Sequence, residues 1–499
     1  MDARRQWLAL IVALVLAQGA GAQPEKVSHY EHMATLPFKQ GYPPAGAIGD
    51  LHDELLFQRA TQSYLWALPV LNLLGMKEGS EKTFGKGYNV LPIWKDRLNA
   101  NTLITTPNSD VIYALGYLDL KEDGPLVIEV PPGLQGVLDD FFQRPICSEG
   151  EINGRRWCGD VGLPGPDKGS GGKYLLLPPD YQDPPPPGYF TMRSRTYGVF
   201  VFWRGFFKDP RQLDEPVAVM ERTRIYPLDK KDDARLMQFP NASQTRINML
   251  YPADGSAFDM LARFFEHEYV DPADKEMRGM LAAIGIAKGR PFAPDARMRT
   301  LLDQAARTAW RIGHVLAYQP NSLLPNGLWW RDRRWINPFP GNATFSGDTF
   351  NVLDSRIGFF TYAYSASPGM AASAENVGAK YAATYVDANG DFLAGNRNYK
   401  LHLPKGIPAA LFWSVTVYDP ITGSGLDNGQ PFPSINTLDK PGVNADGSTD
   451  IYFGPNSPGP DKNWLRTLPD KGFFAILRLY GPTRAFFDRS WKPGDIEKR

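Results

Sequence analysis

Asp139 and Asp140 stand side by side, Gln143 and Arg144 follow them, and Asp160 and Asp167 come shortly after. Carboxylates beside a guanidinium can do acid–base work, one carboxyl moving a proton while the cation holds a ligand oxygen. Two carboxylates flanking a glycosidic bond are what glycoside hydrolysis requires. One expectation is therefore a polar substrate, most naturally a glycan, with Asp140 as acid or base, Asp160 as its partner, and Arg144 and Lys173 on ligand oxygens. On a strand, neighbouring side chains point to opposite faces, so Asp139 and Asp140 cannot share one cleft. The competing expectation is structural: an Asp–Arg network that holds a loop.

Other constellations are weaker. The run Gly165 to Tyr174 is rich in glycine, but Asp167 stands where a phosphate loop needs its leading glycine and Tyr174 where it needs Ser or Thr. Asp167 and Lys173 are left as ligand contacts of a backbone-lined loop, or as parts of a tight turn. Asn108-Ser109-Asp110 sits at a strand entrance, where short polar side chains bond nearby backbone, and loop ends of sandwiches also carry function. Leu328 to Trp335 gathers Trp329, Trp330, Arg331 and Trp335, a platform for a ligand face with Trp330 at its centre, or else core or interface. The six histidines show no zinc spacing, and the oxygen-rich loops 387–391 and 444–450 lack the closing glutamate of a calcium loop, so no metal is expected. No Gly-x-Ser-x-Gly elbow occurs, and no pattern calls for a cofactor.

The elements that must position these residues are mostly short. With 48 Gly and 44 Pro spread through 499 residues, the chain favours many strands joined by turns, and its length favours more than one domain. Residues 50–76 carry apolar positions at helical spacing, with Asp50 as a cap and Gly75 as a stop. From Tyr88 onward come short runs rich in β-branched and aromatic residues, 103–106, 111–120, 126–130, 134–142, 173–177 and 198–206. The middle, 257–286 and 295–318, is helical in period. Strands return at 399–403, 411–418, 450–453 and 473–480. In 411–418, Leu, Trp and two Val share one face and Phe, Ser, Thr and Tyr the other, which suits a sandwich strand beside a cleft or a second layer. The fold expected is α+β, mainly β with helical connections, in two sandwich or jelly-roll domains.

Lys plus Arg and Asp plus Glu each number 54, and no basic run tracks a phosphate backbone, so nucleic acid is not an expected partner. Arg4 and Arg5, an apolar stretch from Trp7 to Ala17, and Ala20-Gly21-Ala22 form a signal peptide with cleavage before Gln23. No transmembrane anchor is expected after cleavage, and the destination is periplasmic or secreted. Cys147 and Cys158 then mature where disulfides form, and they flank a loop they would staple. The polar arm 23–49 has the length to reach a second copy, making a homodimer one expectation.

Thr106-Pro107-Asn108-Ser109-Asp110, the stretch Leu138 to Pro145, and the run Gly159 to Tyr174 resemble a domain of unknown function numbered 1254. Phe412 to Val415, Asp450 to Pro455, Leu477 to Pro482 and Trp491 to Asp495 resemble the one numbered 1214. The resemblance implies two jelly-roll-like domains with helical connections in an exported protein, and it implies no reaction. The organisation expected is a signal peptide at 1–22, an arm at 23–49, a β domain at 50–225, a helical connection at 226–350 and a second β domain at 351–499. Two functions stay open: an exported hydrolase or lyase using carboxylate chemistry on a glycan or other small polar molecule, and a non-catalytic ligand-binding or assembly protein.

Overall fold

A computed structural model describes residues 28–243, 245–319, 326–372 and 374–499. The expected signal peptide lies outside the described residues. No described helix is long and apolar enough to cross a membrane. The chain divides into two compact units, one ending at Gln58 and the other running from Arg59 to Arg499. In the first, Ser28 caps the helix His29–Ala34 by accepting the Glu31 N–H, and His29 bonds Glu54 at 2.8 Å.

Helix Ala45–Trp66 continues across the division and is followed by helix Leu68–Phe84. The first helix therefore starts before Asp50, and Gly75 does not stop the second. That helix ends at Gly85, whose φ of 94° is costly for other residues. Gly75 answers a different need: a Cβ there would lie 2.7 Å from the Leu250 carbonyl oxygen, so it permits close packing.

The fold is α+β, with four sheets of four or five strands and none closed into a barrel. Two five-stranded sheets form a first sandwich. One runs in the order Ile93–Trp94, Ile112–Asp119, Gly198–Gly205, Gln135–Asp140, Asp160–Val161. The other runs Arg224–Pro227, Leu126–Val130, Gly172–Leu177, Phe190–Arg193, Cys147–Ser148. Their shared core holds Ile112, Leu118, Ile128, Leu176, Val201 and Trp203. Two four-stranded sheets form a second sandwich, Ala379–Thr384, Phe474–Pro482, Ala409–Tyr418, Ser434–Asn436 against Asn463–Arg466, Thr449–Gly454, Tyr399–Leu403, Ile496–Lys498. Leu401, Val415, Ile451 and Leu477 pack between them. Each such side chain, fully buried, contributes about 1.5–3 kcal/mol relative to exposure.

Alternation along the strands decides what the remaining faces show. On Gly198–Gly205, Val199, Val201 and Trp203 enter the first core, so Phe200, Phe202 and Arg204 point away from it. On Phe474–Pro482, Ala475, Leu477 and Leu479 enter the second core, leaving Ile476, Arg478 and Tyr480 on the opposite face. Those opposite faces are mostly buried as well, with Arg204 and Ile476 half-buried. Strand Ala409–Tyr418 behaves as its pattern predicts over Phe412–Tyr418, but Leu411 is exposed.

The helical middle comprises Ser256–His267, Lys275–Ala283 and Ala296–Tyr318, the last capped by Asp295. Helix Leu353–Tyr362 packs against Ala296–Tyr318 where Gly358 lets the backbones approach. The chain leaving it, 363–370, runs along the first sandwich, and the ring of Tyr364 lies 5.5 Å from that of Phe202.

Candidate functional site

The two sandwiches turn their non-core strand faces towards a cavity of about 220 Å³. Tyr113, Phe202 and Arg204 line it from the first sandwich and Tyr381, Ile476 and Arg478 from the second. Helix Leu353–Tyr362 adds Phe359 and Tyr362, and the segment before it adds Phe339. Phe339 and Phe359 pack at 4.5 Å between centroids, and Phe339 lies 6.2 Å from the Tyr381 ring, giving the cavity an aromatic wall.

The polar part of the lining is built twice over from the same device. Arg204 is the cross-strand partner of Tyr113 in the first sandwich, and Arg478 is the cross-strand partner of Tyr381 in the second. Directly opposed residues have Cβ atoms about 5 Å apart, so each phenol accompanies a guanidinium. Arg204 also bonds the hydroxyl of Tyr381 from the other sandwich. Arg478 donates through Nη1 to Thr416 Oγ1 at 3.0 Å. Among the described residues, nothing accepts from the buried Nε of either arginine.

Guanidinium does not lose its proton in proteins, so both charges persist in the interior. Burial opposes the charge on Arg204, and the surrounding oxygens of Tyr381, Tyr113 and Tyr480 outweigh it, with no carboxylate among its strongest influences. Burial pushes Tyr113 up to about 12 and Tyr480 well above the usual phenol range, so at neutral pH these groups supply dipoles rather than charge. Arg478 differs, because Asp110 is among the groups acting on it.

Asp110 holds the junction between the sandwiches. It accepts from Ser414 Oγ and, at 2.7 Å, from Asn436 Nδ2, both on the second sandwich. Its own N–H goes to Asn108 Oδ1 at 2.9 Å, the turn expected of this motif, while Asn108 Nδ2 donates to the Tyr480 hydroxyl. Asn108 lines the cavity, and Asp110 stands behind it. Burial raises the Asp110 carboxyl above its ordinary value, against the pull of Arg478.

The other residues singled out from sequence lie elsewhere. Asp140 Oδ1 accepts the backbone N–H of Phe142 and Arg144 at 2.8 and 3.0 Å, and Oδ2 pairs with Arg144 Nε at 2.6 Å. Arg144 reaches on to Asp274 at 3.1 Å. Gln143 bridges the Pro69 carbonyl at 2.7 Å and the Ser365 N–H at 2.5 Å. Asp160 accepts from Gly369 N at 2.7 Å and from Ser367, and burial lifts its carboxyl to about 6. A Cβ on Gly369 would sit 2.7 Å from that carboxylate, so glycine is needed there. Asp139, the alternative to Asp140 as one member of an acid pair, accepts from Ser365 Oγ at 2.7 Å, and burial pushes its carboxyl well up. Asp139 and Asp160 hold the segment 365–369, and neither lines the cavity.

Asp167 accepts from Gly162 N, Gly171 N and the Tyr174 hydroxyl, organising the glycine-rich loop, and Lys173 is exposed with Glu129 at 3.8 Å. Trp330 is 1 % exposed in the second core, edge-on to Phe486 and Trp491. Cys147 and Cys158 are joined by a disulfide, with 2.06 Å between sulfurs.

Arg204, Arg478, Tyr113 and Tyr381 were missed. Their signal was present: an arginine inside an otherwise apolar strand run, as in Gly198–Gly205 and Phe474–Pro482, must be buried on one face.

No curated protein matches the chain. Among solved structures, the VPA0106 protein from Vibrio parahaemolyticus is 17 % identical with a TM-score of 0.51, over 89 % of this chain and all of that one, and the likeness extends to the fold. An uncharacterised protein from Burkholderia cenocepacia is 13 % identical with a TM-score of 0.37, over 91 % of this chain and 96 % of that one. Residues 88–227 match the protein of unknown function DUF1254, and residues 378–484 match the protein of unknown function DUF1214. The two matches stand in the order the motifs indicated, so the chain carries a region similar to DUF1254 followed by one similar to DUF1214.

Proposed function

We propose that this is an exported protein that binds a small amphiphilic molecule in the cavity between its two sandwiches. The carrying observation is the cavity itself, whose lining combines the rings of Phe339, Phe359 and Tyr362 with the polar groups of Asn108, Arg204 and Arg478. Concave, mostly apolar sites with a few convergent polar groups are where small ligands bind. A cavity of roughly 150 Å³ suffices for a benzene ring, so the room here suits a ring-sized body bearing a short polar chain. The Cys147–Cys158 disulfide and the leader-like residues 1–22 support export.

The test is to fill the space. Ala383 faces the cavity from strand Ala379–Thr384. In a thermal-shift screen of small aromatic and aliphatic amphiphiles, ligand at 100 times its Kd stabilises the protein by about 2.7 kcal/mol. Ala383→Leu should fold with a similar melting temperature and lose that shift. Equal shifts in both proteins, or none in the wild type, would refute the cavity as the site.

A second reading, acid–base catalysis on a glycan or other polar substrate, is favoured by Asp160. Its carboxyl, lifted to about 6 by burial, is poised for proton transfer near neutral pH. Asp140, bonded at both oxygens, supports the structural role better.

A further inference from the structure

We infer that the cavity selects a monoanion, a single carboxylate on an apolar ring-sized body, with Arg204 taking its charge and Arg478 orienting it. This rests on the cavity being the ligand site and names the chemistry of the ligand.

The inference comes from which charges in the cavity are already answered. Arg97, the other buried arginine near Asp110, forms a two-pronged pair with Asp439 at 2.8 and 2.9 Å. Arg478 has Asp110 among its influences and Thr416 as an acceptor. Arg204 has phenols as its strongest partners, with Asp160 acting only at longer range. Phenol dipoles accept hydrogen bonds but do not neutralise a cation, and an unanswered interior charge is expensive unless something pairs with it. Arg204 lines the cavity, and a planar guanidinium presents the paired N–H groups that a carboxylate fits.

The arrangement also disfavours a second negative charge. Asp110 stands behind the polar part of the lining, and Asp354 lies on the exposed rim of the cavity. Asp160, which faces Arg204 and Arg155 at longer range, keeps its oxygens on Ser367 and Gly369. A dianion would meet these carboxylates with only one unspent guanidinium. A neutral ligand would leave Arg204 unanswered. The wall formed by Phe202, Phe339 and Phe359 rejects a wholly polar anion.

The experiment compares three isosteres by calorimetry on the mature protein: 3-phenylpropionate, 3-phenylpropanol and phenylsuccinate. The monocarboxylate should bind at least tenfold more tightly than the alcohol and the dicarboxylate. Arg204→Gln should abolish the preference over the alcohol, and Asp110→Asn should narrow the gap to the dicarboxylate several-fold. Equal affinity for acid and alcohol in the wild type overturns the anion assignment while leaving the cavity as the site. That comparison needs no variant to fold. Binding of none of the three, with Ala383→Leu indistinguishable from wild type in the wider screen, overturns both.

Discussion

Two buried charged regions of this protein are built from similar residues and reach opposite ends. Around Asp140, the carboxylate accepts two backbone N–H groups and the Arg144 guanidinium, and Arg144 continues to Asp274. Around Arg204 and Arg478, two guanidiniums share a cavity with phenols, and each keeps an Nε without an acceptor. The first region's charges are paired within the chain, although Arg144 Nη2 is also buried without an acceptor. In the second, both arginines line a cavity, and Arg204 forms no ion pair with a carboxylate among the described residues. Buried polar groups are ordinarily satisfied, and an orphaned donor occurs in both regions, so what separates them is the cavity beside Arg204 and Arg478; charge alone does not mark a site.

Substitutions sharpen the contrast, because the two regions should respond with different magnitude. Asp140→Ala leaves Arg144 short of its main partner and strands two N–H groups. Breaking a buried pair this way costs about 3–5 kcal/mol, with the lower end expected because Asp274 remains. Chemical denaturation should show the midpoint falling accordingly, and a loss under 1 kcal/mol would mean the network is not holding the loop.

The next largest effect follows pH. The folded Asp160 carboxyl is raised from 3.8 to about 6, so the folded state holds a proton that the unfolded state has released. Stability is then full below the unfolded value and falls as pH rises from about 4 to 6, by up to roughly 3 kcal/mol at about 1.4 kcal/mol per unit. Asp160→Asn should flatten that part of the profile. An unchanged slope would assign it to other buried carboxyls such as Glu268, lifted by burial to about 7.

The smallest effect is expected at the cavity. Arg204→Met removes a charge that has no carboxylate partner, and replacing such a group with an apolar side chain is near neutral, within about 1 kcal/mol. The melting temperature should barely move while ligand binding disappears. A loss comparable to that of Asp140→Ala would erase the distinction between the regions.

Much of this was legible in the residues. Strand runs such as 126–130 and 198–206, the helical period of 295–318, the Asn108–Asp110 turn and the cysteine pair follow from local rules of alternation, capping and spacing, and those rules hold whatever lies across the core. The paired regions were legible from short motifs. Gly75 was misread because a glycine that ends a helix and one that admits a neighbouring backbone look alike until Leu250 is in place.

The site was only half legible. Sequence determined that Arg204 and Arg478 lie in apolar strands and so face inward or across a sheet. Only the tertiary structure decided that the two strands, far apart in the chain, face one another, because the contact is made by faces left over once each sandwich had formed its own core. Sequence likewise put Asp140 beside Arg144, but whether their bonds are all used up depends on Asp274 and on the backbone geometry of the loop. Satisfaction of a charge is a property of everything that surrounds it, and that surrounding is assembled only by folding.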